Sequence, residues 1–123
     1  MISEDEKKKD EFSNGVNLSQ KHCVPCEGGM QPMTEMEATA MLTHVQGWTL
    51  ASDAKKITKQ FKFKDFVAAM DFANKITPVA ETEGHHPDLS ISWGKVFVEL
   101  TTHAVKGLSE NDFILAAKID HIS

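Results

Sequence analysis

Between Thr34 and Val45 the apolar residues Ala38, Met41, Leu42 and Val45 fall at i, i+3, i+4 and i+7, one stripe of a helix. Thr34 can cap it, Glu37 three residues on completes a capping box, and Gly47 supplies a stop. From Trp48 the period shortens. "WTLAS" and "KITKQFKF" read as two strands around a turn at Asp53–Lys55, with Ile57, Phe61 and Phe63 sharing a face. Helical period returns from Asp65 to Glu83, with Phe66, Ala69, Met70, Ala73 and Ile76 on the buried side. Pro78 removes a backbone donor there and predicts a kink or break near Thr77. Leu89–Trp93 and Lys95–His103 read as strands joined at Gly94. On the second, Val96, Val98 and Leu100 share one face; Phe97, Glu99, Thr101 and His103 share the other. Ser109 and Asp112 can cap a final helix, with Leu108 and Phe113 as a hydrophobic staple. The order α-β-β-α-β-β-α predicts an α+β fold, a four-stranded antiparallel sheet with helices packed on one face.

Residues 1 to about 20 mix charges with Ser, Asn and Gly and offer little to bury, so they read as a mobile tail. "HCVPCEGGMQP" follows as a Gly- and Pro-rich loop. The expected division is a tail and loop over 1–32 and a domain over 33–123. At 123 residues the chain can bury a core without staples. A net charge of -5 argues against nucleic acid as a partner. The absence of arginine removes bidentate phosphate clamps and favours a neutral ligand. No apolar run reaches the ~20 residues of a membrane span, and the N-terminus lacks a secretory h-region. The expected compartment is the cytoplasm, with both cysteines reduced.

Three of the six histidines, His85, His86 and His103, fall within "EGHHPDLSISWGKVFVELTTH". A helix-to-strand loop and the far end of the next hairpin converge in space, so the three could line one pocket. Imidazole both gives and takes a proton near neutrality. Three-histidine zinc is the rival, but adjacent residues on an extended segment point to opposite sides, which favours acid–base work over metal. Cys23-x-x-Cys26 suggests redox chemistry or half a zinc site. His22 brings the local donors only to three, and the flanks are not strand and helix, so a loop with two thiols is the plainer reading.

Glu81, then His85-His86-Pro87, Trp93, His103 and Asp112 at their spacing resemble the signature of the pterin-4a-carbinolamine dehydratase family, over Thr34 to His121. "KQFKFKDFVAAMDF" and "THAVKGLSENDFILAAKID" resemble its second strand and helix, and its last strand and helix. The resemblance implies dehydration of 4a-hydroxytetrahydropterin to quinonoid dihydropterin, recycling the cofactor of aromatic amino acid hydroxylases with no metal or nucleotide. It implies proton transfer by His85 and His103 and ring binding chiefly by His86. Pterin contacts would come from Gly84, His85 and His86 on one side and Thr101, Thr102, His103 and Ala104 on the other. Glu81 would orient a histidine or be solvated, and Trp48 would be core or lie near the pocket. Ser109 and Asp112 read first as a structural cap. Familiar members carry Asp where this chain has Gly84, which removes one polar contact.

The resemblance also implies a homodimer or homotetramer, in keeping with a sheet whose edges and second face would otherwise stand open. The alternative function is an interaction module, since eukaryotic relatives double as dimerisation cofactors of a transcription factor. All three histidines favour the enzyme, because scaffolding needs none of them.

Overall fold

The computed structural model describes residues 17–25 and 30–123. It contains helix α1 (Glu35–Leu42), strands β1 (Thr49–Leu50) and β2 (Ile57–Lys62), helix α2 (Phe66–Glu83), strands β3 (Asp88–Ser92) and β4 (Lys95–Leu100), and helix α3 (Glu110–Ile122). The four strands form one antiparallel sheet in the order β1-β2-β4-β3. This is the α+β arrangement that the change of period along the chain predicts.

Register decides which side chains meet. Ile57 pairs with Leu100, Lys59 with Val98 and Phe61 with Val96, so these six share the inner face. Ile57, Val96, Val98 and Leu100 are fully buried there, each worth about 1.5–3 kcal/mol of burial. Helices α2 and α3 cover this face, with Phe113, Ile114, Leu115 and Ile119 of α3 sealed from water. The outer face carries Thr58, Gln60, Lys62, Lys95, Glu99 and Ser90, with Phe97 its one large apolar residue. An open face of that composition tolerates water, so of the two exposed features foreseen from the sequence only the β3 edge stays notable.

Helix starts follow the local chemistry. Thr34 and Glu37 form the expected reciprocal box at α1. The Asp65 carboxylate accepts from the Ala68 N–H at α2, and the Asp112 carboxylate accepts from the Ser109 N–H at α3. Four expectations change. Of the kink or break expected at Pro78 the break does not occur: helix α2 is continuous through it, on an exposed turn. Phe66 is 47% exposed and Phe72 takes the buried place, stacking on Phe61 and Phe63. Strand β4 stops at Leu100, so Thr101 and His103 leave its outer face. His103 instead opens a 3-10 turn, His103–Val105, closed by Lys106 in the left-handed region.

The fourth change concerns the N-terminal segment. Leu18 is 3% exposed within the core, in a 3-10 turn Leu18–Gln20 that packs on α3. One leucine among polar residues gives no periodicity, so a tail was the sequence's reading of residues 17–20. The folded part therefore reaches back at least to Asn17. The rest of that tail, residues 1–16, and Cys26 with 27–29 lie outside the described residues.

Pro78→Ala supplies a backbone N–H to a helix that is already continuous. It is expected to raise the unfolding free energy by about 1 kcal/mol or more. Urea denaturation checks this; a lower midpoint would mean that packing of the proline ring outweighs the missing hydrogen bond.

Candidate functional site

The site forms where three chain segments meet at one end of the sheet: the end of α2, the end of β4 and the start of α3. Gly84 (φ 64, ψ 28) ends α2 in the left-handed region. The His85 N–H reaches back to Ala80 O and the Gly84 N–H to Glu81 O, a Schellman closure that turns the chain out immediately before the histidines. A side chain at position 84 would meet nothing within 4 Å, so glycine serves the turn there without filling a cradle.

His85 and His86 then diverge, as adjacent residues on an extended segment must. His85 Nε2 lies 2.6 Å from Asp112 Oδ1, with the histidine side chain 11% exposed and the aspartate sealed. Asp112 Oδ2 accepts from the Thr102 hydroxyl at 2.7 Å and from the Ser109 N–H at 3.0 Å. An acceptor-only carboxylate makes His85 Nε2 the donor, which leaves Nδ1 as the ring atom able to exchange a proton. His86 turns the other way, 2.7 Å from Glu81 Oε2 on the surface. The ring of His103 is exposed and makes no hydrogen bond to another described residue. Thr101 is tied by its hydroxyl to Lys55 O at 2.6 Å.

A cavity of about 500 Å³ opens among these groups. Its lining includes Gly84, His85, His86, Thr101, Thr102, His103 and Ala104, so the two stretches singled out in the sequence face one space. Two further residues of that reading lie elsewhere. Glu81 borders a smaller hollow beside Pro87 and Leu89, and reaches the cavity only through His86. Trp48 is 6% exposed in the core, edge-on to Phe61, with its Nε1–H donated to Asp120 Oδ2 at 3.0 Å. It is a core residue, not a wall of this cavity. Asp112 is more than a helix cap: one carboxylate both caps α3 and orients His85.

The remaining wall is one the sequence reading passed over. Cys23, Val24 and Pro25 line the cavity as a strap, together with Glu83 and Asn111. Glu83 Oε1 accepts the Cys23 N–H at 2.8 Å, and His22 Nδ1 lies 2.9 Å from Oε2. Asn111 treats Val24 as a strand neighbour would: Oδ1 accepts the Val24 N–H at 3.0 Å and Nδ2 donates to Val24 O at 2.6 Å. The cysteine loop is thus a built part of the site. The cue in the sequence was an Asn directly before the capping Asp112, too common a residue to stand out. Among the described residues no group of three or more His, Cys, Asp or Glu could hold a metal ion, and no helix is long and apolar enough to cross a membrane.

The profile of the pterin 4 alpha carbinolamine dehydratase family matches residues 31–122. The chain belongs to this family. It is 48% identical over 110 residues to a protein of Methylococcus capsulatus provisionally named pterin-4-alpha-carbinolamine dehydratase, covering 89% of this chain and 96% of that one. A protein of Halorhodospira halophila with the same provisional name is 49% identical over 105 residues, 85% of this chain and 96% of the other. Among solved structures, a transcriptional coactivator/pterin dehydratase from Brucella melitensis superposes with a TM-score of 0.71 at 35% identity, covering 75% of this chain and 98% of that one. The family profile starts beyond the strap, whereas an alignment over 89% of this chain spans residues 17–25 wherever it begins.

Burial of Glu83 opposes its charge, but the Cys23 N–H, His22 and Lys118 outweigh that and hold its carboxyl below the ordinary value of 4.5. A depressed folded-state value means the stabilisation is complete above the ordinary value and is lost as pH falls through the folded one. Hydrogen-exchange protection of the Cys23 and Val24 amides is therefore expected to fall as pH drops below the ordinary value of 4.5. Glu83→Gln should show lower protection at pH 5 and little further change on acidification. An unchanged pH response in that variant would show that Glu83 does not hold the strap.

Proposed function

We propose that this cavity dehydrates 4a-hydroxytetrahydropterin, giving quinonoid dihydropterin and water. The carrying observation is the pairing of His85, held by a sealed carboxylate, with His103 across one cavity in a chain of this family. The C4a–O bond breaks and the oxygen leaves as water with a proton from a general acid. The N5 proton passes to a general base as the C4a–N5 double bond forms. His85 and His103 carry the two proton transfers. His86, tied to Glu81, binds the ring with Gly84, Thr101, Thr102 and Ala104.

Asp112 fixes the ring of His85 and stabilises it when it carries charge, the role an orienting carboxylate plays behind a catalytic histidine. Among the described residues no lysine lines the cavity, and the chain has no arginine, which suits an uncharged bicyclic ring. The chemistry needs neither metal nor nucleotide. We assign the protein on this reading to cofactor recycling in the cytoplasm, its product being the form a reductase would convert back to the tetrahydropterin of an aromatic amino acid hydroxylase.

A second reading, assembly with other chains, is favoured by the open edge of β3 beside Trp93, 69% exposed. The Brucella protein is described as a transcriptional coactivator as well as a pterin dehydratase. We infer a homodimer or homotetramer that the catalytic residues do not build. Sedimentation at micromolar protein should show a dimer or larger, and a monomer alone would refute it.

Decay of freshly generated 4a-carbinolamine, followed spectrally against a protein-free blank, tests the enzyme. His103→Ala should keep its stability within about 1 kcal/mol, because the side chain is exposed and fills no core volume. It should lose ~10²–10⁴ of the catalysed rate. His85→Ala should lose turnover similarly and also about 1–3 kcal/mol of stability, because a sealed carboxylate forfeits a donor. Wild-type turnover in His103→Ala would remove it from the mechanism.

A further inference from the structure

The strap has no secondary structure of its own, so its place over the cavity depends on side chains reaching it from α2 and α3. Two of those side chains are polar and almost fully enclosed. Glu83 is 4% exposed at the side chain, and Asn111 is 5% exposed. Burying a carboxylate and an amide is costly unless their hydrogen bonds are met. Here they are met largely by strap residues: the Cys23 N–H and His22 by Glu83, and both backbone groups of Val24 by Asn111. Lys118 adds a second tie, 3.6 Å from Glu83 and donating to Ser19 O at 2.8 Å.

An apolar clamp would leave the strap free to slide by a residue. Paired donors and acceptors at fixed spacing do not, so the anchoring specifies a register as well as a contact. Its consequence for the cavity is chemical. With the Cys23 N–H and both backbone groups of Val24 already engaged, the strap meets a ligand mainly through the Val24 side chain, with Val24 64% exposed, and the Pro25 ring. The opposite wall carries the histidines and threonines. The histidine wall is proton-active; the strap wall offers Val24 and Pro25, with Cys23, Glu83 and Asn111 also bordering the space.

We propose that the Cys23–Pro25 strap is the wall that sets affinity for the flat pterin ring, and that Glu83 is the positioning residue that fixes it. This deepens the dehydratase reading and rests on it. The strap touches the ring but no proton in flight, so loosening it weakens binding of substrate and transition state alike, which raises KM and leaves kcat in place.

Two variants test this by different routes. Glu83→Ala removes the anchor; Val24→Ser alters only an exposed side chain and leaves the anchoring backbone intact. Both are expected to raise KM for the carbinolamine roughly tenfold with kcat within about twofold of wild type. Glu83→Gln keeps an acceptor for the Cys23 N–H and should recover most of the lost affinity. Dihydrobiopterin binding, read by fluorescence quenching, gives a measure independent of turnover and should weaken in parallel. A fall in kcat at constant KM, or unchanged dihydrobiopterin affinity in both variants, would overturn the strap's role even if wild type is active. A wild type that binds dihydrobiopterin without dehydrating the carbinolamine would overturn the dehydratase reading, while weaker binding in both variants would still support the strap. A wild type that does neither would overturn both.

Discussion

The carboxylate of Asp112 is the point on which the site end of this fold depends. It is fully enclosed and receives three donors from three places: the Ser109 N–H at the head of α3, the Thr102 hydroxyl just past β4, and the His85 imidazole just past α2. A sealed charge without such partners would cost several kcal/mol. The three segments are thus mutually obliged. Each can take its observed path only if the other two deliver their donors. The cavity follows from that obligation, because its two histidine-bearing edges are the segments brought together.

Much of this was legible in the chain because repeated physical patterns encode it. Alternation at Val96, Val98 and Leu100 and the capping boxes at Thr34 and Ser109 each reflect a local rule, and the sheet with its helices follows. The meeting of Gly84–His86 with Thr101–Ala104 was also readable, since topology brings those ends together. What was not readable depends on contacts remote in sequence. Leu18 is a single buried residue without a period, and Cys23 and Val24 owe their position to partners 60 and 87 residues away. Trp48 was readable as a core residue, but not the Asp120 carboxylate, 72 residues on, that takes its indole N–H.

His103 illustrates a third kind of gap. Alternation carries on through Thr101 and His103, yet β4 stops at Leu100 because Thr102 turns to bond Gly107 in both directions. A side chain at Gly107 would come within 2.7 Å of Pro32, so the return path is closed to anything larger. Pattern extends a strand until a tertiary contact ends it, and that contact is invisible from within the strand. The histidine is consequently lifted off the sheet and set among the cavity's lining residues, exposed.

The joint employment of Asp112 has an evolutionary side. His85 is fastened to the carboxylate that also caps a helix and receives Thr102, so a lineage cannot alter that histidine without disturbing the fold. His103 answers to no such neighbour. Descendants that keep the architecture for other purposes are free to drift first at position 103, and on the dehydratase reading proposed above a chain with His85 and Asp112 in place but another residue there would be a scaffold that has shed its reaction.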